Sequence, residues 1–325
     1  MHRRRFVAAA IAAPALLRGL AARAEGAWPA KTVRFIVPFA AGGGTDTVSR
    51  LICDQLARQL GQQFVVENRG GAGGNIGTAE LARAAPDGYT IGLITVASHT
   101  LNPMLYGKLP YDPDRDIVGV SRVAILSNLL GVPRSLPAGT VAELIALCKK
   151  EPGKYSFASS GPGTSLHLSG ELFKSMAGID ILHVPYKGAG PAYNDLAAGT
   201  VQMMFANMPS MLPQVRGGKL KGLGVTSAQR SRSAPEIPAI AETLPGYVAT
   251  SWYGVGAPAG TPEPILARLE GALVEALKQP PIVKRWEDDL GLDMPPTGRE
   301  GFAAFLAEDR KLWAPVVKAS GVKLE

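Results

Sequence analysis

Cysteine is almost absent: Cys53 and Cys148 are the only two in 325 residues. Two cysteines cannot staple a chain of this length, which excludes a disulfide-built fold. Both fall in helix-like patterns, where a small buried hydrophobe is the ordinary role, and one bridge between them stays open in an oxidising compartment. Histidine is scarce as well. His2, His99, His167 and His183 stand apart from cysteines and acids at any ligand spacing, so no metal motif is present. Also missing are a G-x-S-x-G nucleophile elbow and a Walker loop. Beyond residue 17, Gly, Pro or charge interrupts every apolar run, leaving no later segment able to span a membrane.

The excess of positive charge is equally thin once located. The chain carries 34 basic and 27 acidic residues, a net of +7. Five of the arginines (3, 4, 5, 18 and 23) lie in residues 1–24, which contain no acid. Without them 29 basic residues face 27 acids, a net of +2, so nucleic acid is not expected as a partner. Arg3-Arg-Arg5 precedes an apolar run over residues 6–17, and Ala22-Arg-Ala24 fits a small-x-small cleavage site. Residues 1–24 therefore read as a cleaved secretory signal peptide rather than a membrane anchor, for which the run is short. The route stays open between the general secretory and twin-arginine pathways.

What the chain has in abundance is glycine, 38 residues, grouped in loops. The organising stretch is Val33-Arg-Phe-Ile-Val-Pro-Phe-Ala-Ala-Gly-Gly-Gly-Thr-Asp46. Its β-branched and aromatic start predicts a buried strand, which Pro38 stops. Thr45 and Asp46 suit a helix start, and Val48, Leu51, Ile52, Leu56 and Leu60 continue it on one face. A strand, a bare loop and a helix N-terminus present free N–H donors and a partial positive charge, which is a place to hold an anion.

The pattern returns. A strand at 64–67 leads into the loop Asn68–Gly77 and a helix over 78–84; a third strand spans 89–96. That second loop fails the dinucleotide fingerprint, because Ile76 stands where a glycine is required. Residues 102–116 read as loop and 118–131 as an extended apolar segment passing between domains. A helix over 140–150 carries the capping box Thr140/Glu143. Then strand 155–158, small-residue loop 159–165, helix 166–177, strand 181–184, loop 185–190 and helix 191–198 repeat the first order. Strands at 201–205, 220–226 and 249–256 follow. Thr261 and Pro262 open a helix with the stripe Leu266, Leu269, Leu273 and Leu277, and a short helix spans 281–289. Thr297 and Glu300 cap the last, with Phe302, Phe305, Leu306, Leu312, Trp313 and Val316 facing inward. Strands alternating with helices predict an α/β fold with a mostly parallel sheet, in two lobes built alike.

Four glycine loops between strand and helix gather where ligands bind in open α/β sheets. Facing sets from two lobes make a cleft that closes on a ligand. Lys187, Arg69 and Lys219 can add charge there or remain solvated. His99 and His167 lie beside the loops and can line the cleft, whereas His183 reads as a satisfied core residue. Ser159, Ser160 and Ser165 have no base beside them in sequence and read as ligand donors, with a periplasmic hydrolase using a cleft serine as the alternative.

Pro38-Phe-Ala-Ala-Gly-Gly-Gly-Thr-Asp46 resembles the start of the tripartite tricarboxylate transporter substrate-binding proteins, the Bug receptors. The similarity extends to Glu67-Asn-Arg-Gly-Gly-Ala-Gly-Gly-Asn-Ile-Gly77, Pro86-Asp-Gly-Tyr-Thr90, Val184-Pro-Tyr-Lys-Gly-Ala-Gly-Pro-Ala192 and Trp252-Tyr-Gly-Val-Gly-Ala-Pro-Ala-Gly-Thr-Pro262. It spans essentially the whole mature chain in order.

The resemblance implies a periplasmic, two-lobed binding-protein fold of the type II, Venus-flytrap kind, without catalysis and without cofactor. Lobe 1 would comprise 25–123 plus 251–325, and lobe 2 124–250. One ligand carboxylate would be held, partly through waters, between loops 39–46 and 159–165. The site residues carried over are Phe39, Ala40, Gly43, Gly44, Thr45 and Asp46 from the first loop. Ser160, Gly161, Thr164 and Ser165 come from the second, and His167, Lys187 and Asn207 from the walls. Asp46 fits a helix cap or a partner for a ligand amine better than a carboxylate contact. The expected ligand is a dicarboxylate, amino acid, tricarboxylate or aromatic acid, taken up by a monomer. Membrane transporter subunits or a sensor kinase would receive it.

Overall fold

The computed structural model describes residues 28–293 and 297–324; the expected signal segment 1–24 lies outside the described residues. The first strand, β1 (Val33–Val37), is buried along nearly its whole length and lies parallel between β2 (Phe64–Asn68) and β3 (Thr90–Thr95). Parallel neighbours require crossovers. These are α1 (Gly44–Leu60), reached through the glycine loop, and α2 (Asn75–Ala82). Val33, Phe35 and Val37 alternate onto the face that receives Val48, Ile52 and Leu56 of α1. Each such side chain contributes about 1.5–3 kcal/mol of apolar burial.

After β3 the chain does not become loop at once. A π-turn (Ala97–Leu101) runs directly into α3 (Asn102–Leu105). Pro103 in the first turn of α3 removes an N–H that has no helical acceptor anyway, so it did not exclude a helix.

The strand β4 (Ile117–Pro133), with 17 residues, ties the molecule together. From Ile117 to Ser127 it pairs antiparallel with β9 (Thr250–Pro258). From Asn128 onward it pairs with β7 (Met203–Asn207) and β8 (Leu220–Val225). The handover is pinned by Thr226. Asn128 N–H donates to its hydroxyl (2.8 Å), Thr226 N–H donates to Asn128 O (2.9 Å), and the hydroxyl donates to Ala249 O (2.7 Å).

The second half repeats the first. α4 (Val141–Lys150) begins with Thr140 Oγ1 accepting from Glu143 N–H, while the Glu143 carboxylate reaches Gly139 N–H rather than that of Thr140. β5 (Ser156–Ser159) lies parallel between β6 (Leu182–Pro185) and β7, with α5 (Ser165–Ala177) and α6 (Ala189–Ala198) as crossovers. Each half thus has a three-stranded parallel core, and antiparallel strands join the two into the order β2-β1-β3-β9-β4-β7-β5-β6. α7 (Met208–Arg216) was missed in the sequence because Pro209 and Pro213 look like breakers. Pro209 occupies its first turn, and Pro213 is carried inside the helix.

Two expected caps are not formed. Thr261 spends its hydroxyl on Pro258 O (2.7 Å), and α8 (Glu263–Lys278) starts after Pro262. A short helix α9 (Pro280–Lys284) follows it, and the strand β10 (Leu292–Asp293) adds to β4. Thr297 bridges to Arg122, and its carbonyl accepts from Ser121 Oγ, which draws it onto the sheet. The terminal helix α10 (Arg299–Ser320) instead has its Arg299 N–H bonded by Glu270 from α8 (3.0 Å). Along α10, Phe302 and Trp313 are buried, but Leu312 is 71% exposed. It lies about 100° round the helix from Trp313, beyond the edge of the packed face. Cys53 and Cys148 are buried free thiols.

Candidate binding site

The carboxyl ends of β1 and β5 turn toward each other. The loop after β1 delivers Phe39, Gly43, Gly44 and Thr45, and the loop after β5 delivers Ser160, Thr164, Ser165 and Leu166. These residues enclose a small cavity between the halves. The space open to the centre of a water-sized sphere is about 20 Å³, room for roughly one or two waters. No charged side chain lines it among the described residues. The polarity comes from hydroxyls, from the Asn207 amide, and from the first turns of α1 and α5, both of which begin at the cavity wall. Helix N-termini carry unpaired N–H groups and partial positive charge, so two of them aimed at one space favour an anion without a buried cation.

Each jaw is braced from behind. In the first, Asp46 Oδ2 accepts from Gly42 N–H (3.1 Å), and its carboxylate pairs with Arg50 (2.9 Å). Burial disfavours the Asp46 charge, yet the bonds from Arg50, Gly42 and Asn68 hold its carboxyl below the ordinary value. In the second, Thr164 Oγ1 accepts from His167 N–H (3.3 Å) as the α5 cap. His167 Nδ1 accepts from Gly163 N–H (3.3 Å). The Ser159 hydroxyl meets His183 Nε2 (2.7 Å) and accepts from Gly161 N–H (3.1 Å). The His167 and His183 rings stack at 4.0 Å, and burial, then the His167 neighbour, push His183 down to about 3.

Of the thirteen residues expected at the site, Phe39, Gly43, Gly44, Thr45, Ser160, Thr164, Ser165 and Asn207 line the cavity. Five do not. Asp46 is consumed by Gly42 and Arg50, and His167 faces the underside of its own loop. Gly161 supplies the left-handed bend of that loop, at φ 121°. Lys187 is exposed, and it is its carbonyl that matters, accepting from Ala40 N–H (3.2 Å) across the halves. Arg69 is taken up by Glu67 and Glu80, and Lys219 is exposed. His99 does not line the cleft. It is buried against Trp252 with Nδ1 on Ser98 Oγ (2.8 Å), and burial pushes it down to about 3. The two serine–histidine contacts, Ser98–His99 and Ser159–His183, both lie outside the cavity lining.

Sequence reasoning missed Thr95, the last residue of β3, and Val96 and Ala97 just after it, at the same sheet end as the loops. The strand-end rule alone would have found them. It also missed Ala189 on α6, and Ser251 and Tyr253 on β9. Asn207 is held in place by a chain of amides, its Nδ2 on Asn128 Oδ1 (2.7 Å) and Asn128 Nδ2 on Ser169 Oγ (2.9 Å).

Comparison with known proteins points one way. The model of the tripartite tricarboxylate transporter family receptor matches residues 48–322. Protein BugT of Bordetella pertussis is 38% identical over 301 residues, covering 92% of this chain and 92% of that one. Among solved structures, R. palustris Rpa4515 with adipate superposes at a TM-score of 0.88 with 36% identity, covering 91% of this chain and 99% of that one. MatC of Rhodopseudomonas palustris with bound malate gives 0.83 with 34% identity, covering 89% and 100%.

Proposed function

Because the chain belongs to the tripartite tricarboxylate transporter receptor family, we propose that it captures a small organic carboxylate between its two lobes. It would then deliver that acid to membrane transporter subunits or to a sensor. Receptors of this family are periplasmic, and no helix among the described residues is long and apolar enough to cross a membrane. The observation that carries the reading is the convergence of α1 and α5 on one uncharged, hydroxyl-rich cavity. Neutral dipoles can hold a carboxylate at low desolvation cost and release it again, which suits delivery better than a buried ion pair does. The acids bound by the two Rhodopseudomonas proteins, adipate and malate, support the same ligand class here.

The direct contacts fall to Gly43, Gly44, Thr45, Ser160, Thr164, Ser165 and Asn207, with Asp46, His167 and Gly161 shaping the loops that present them. The pairing of β4 supports lobes that exchange at Ser127–Asn128, close to the division at residue 124 expected from sequence. Thermal unfolding of the mature protein against dicarboxylates, tricarboxylates, amino acids and aromatic acids tests the reading. At a hundred-fold excess over its dissociation constant, a true ligand adds about 2.7 kcal/mol of stability. The acid is expected back unchanged. A panel without a shift, or a consumed acid, counts against the proposal.

A further inference from the structure

One polar atom at the cavity is unaccounted for by the protein. Tyr253 is 1% exposed, and its ring packs in the core formed with Phe35, Val48 and Ile52. Its hydroxyl has no hydrogen-bond partner among the described residues. The donors beside it are already engaged. Ser210 Oγ meets Tyr193 OH (2.7 Å) and donates to Asn207 O (3.1 Å), and Asn207 Nδ2 is on Asn128. Gly44, the first residue of α1, faces the phenol: a Cβ built there would lie 3.0 Å from Tyr253 OH and 2.8 Å from Asn207 Cβ. The hydroxyl therefore sits beside the α1 N-terminus, where the two halves meet and where the neighbouring N–H groups are also free.

We propose, on the footing that this cavity is a carboxylate receptor site, that Tyr253 is a ligand-contacting donor whose partner is an oxygen of the bound acid. The anchored carboxylate then receives the N–H groups of the α1 first turn and one phenolic O–H. Burial keeps that phenol protonated far above neutral pH, so it arrives as a donor and never as a competing anion. Tyr253 and Gly44 come from one half, and Asn207 and Ser210 from the other. Closing the halves removes the hydroxyl from water, and a closed state is satisfied at this atom only when the ligand accepts from it. Tyr253 thus couples occupancy to closure. It favours acids whose oxygen lies at the α1 end over ligands of equal size that present carbon there.

The test compares the wild type with Tyr253→Phe, using malate, adipate, citrate, glutamate and benzoate as probes in thermal shift and calorimetry. The variant keeps the packed ring and deletes only an unpartnered hydroxyl, so its ligand-free melting temperature is expected to hold or rise. Its dissociation constant for whichever acid stabilises the wild type is expected to rise roughly ten- to a hundred-fold, the range for losing a hydrogen bond to a charged group. Unchanged affinity in Tyr253→Phe, with the wild type binding, overturns the role of Tyr253 and leaves the receptor reading standing. A fall in ligand-free stability with unchanged affinity assigns the hydroxyl to structure and overturns it too. A wild type that binds none of the five removes the receptor reading and this inference with it.

Discussion

The backbone N–H of Ala40 donates to the carbonyl of Lys187 at 3.2 Å, so the loops after β1 and β6 meet main chain to main chain. Such an approach leaves no room for side chains. A Cβ at Gly190 would overlap Ala41 O, and one at Gly73 would overlap Pro162 O, each across the two halves. The glycines that look like flexible loops in sequence are the facing surfaces of a closed clamp.

Gly190 offers a clean test, because it lies in the first turn of α6 without a left-handed φ. Alanine there suits the helix itself by about 0.5–1 kcal/mol, but its Cβ must displace Ala41 O, so Gly190→Ala should push the two halves apart. Closure should suffer, weakening acid binding by roughly ten-fold or more, about 1.4 kcal/mol. Calorimetry alongside urea unfolding separates the two effects. Full affinity in the variant would mean that this contact is not part of the liganded form.

Thr226 should be as sensitive to isosteric change. Its hydroxyl serves Asn128 N–H and Ala249 O at the strand exchange, where it is fully buried. Thr226→Val leaves a buried donor and acceptor unpaired, a loss of about 2–4 kcal/mol from two such groups, whereas Thr226→Ser should cost about 1 kcal/mol or less. Denaturant midpoints for the pair decide it, and equal midpoints would refute the role of the hydroxyl.

Acid should weaken the fold through two imidazoles, His99 buried and His183 half-buried. His99 and His183 ionise near 6.5 when unfolded but only near 3 in the native protein. Between those values the unfolded chain binds more protons, so stability falls as pH drops from about 6.5 toward 3. Each histidine contributes a slope of at most about 1.4 kcal/mol per pH unit. His183→Gln keeps a group able to meet the Ser159 hydroxyl and should flatten the slope by up to one histidine's share. An identical pH profile would show that His183 titrates normally.

Cys53 and Cys148 should behave as inert thiols. Burial pushes Cys148 up to about 11 and Cys53 higher still, so little nucleophilic thiolate exists at neutral pH. A thiol reagent should label them only on unfolding, and reductant should leave the melting temperature unchanged. Rapid labelling of the native protein is the contrary outcome.

Much of this molecule was legible because its signals are local. Val33–Val37, the bare loop and the apolar face of α1 follow one another in sequence, and the same order at β5 and α5 announced a second jaw. Nine of the cavity-lining residues lie on those loops and the helix starts they lead into, or at the end of β7. The failures are tertiary. Thr297 has the spacing of a cap but is drawn onto the sheet beside Arg122, while Glu270, 29 residues before Arg299, serves the helix instead. His167 sits at the right place in sequence and points behind its loop, because Gly163 N–H claims Nδ1. Tyr253 and Ser251 reach the cavity only because β9 returns to pair with β3 and β4, a long-range pairing that no local period encodes.

The most direct measurement is an equilibrium titration of the mature protein with each acid of the panel, followed by chromatography of the acid recovered. Saturable binding at one site per chain, with the acid returned chemically unchanged, is the expected result. Absence of binding across the panel, or a new product in the recovered fraction, would contradict a carboxylate receptor.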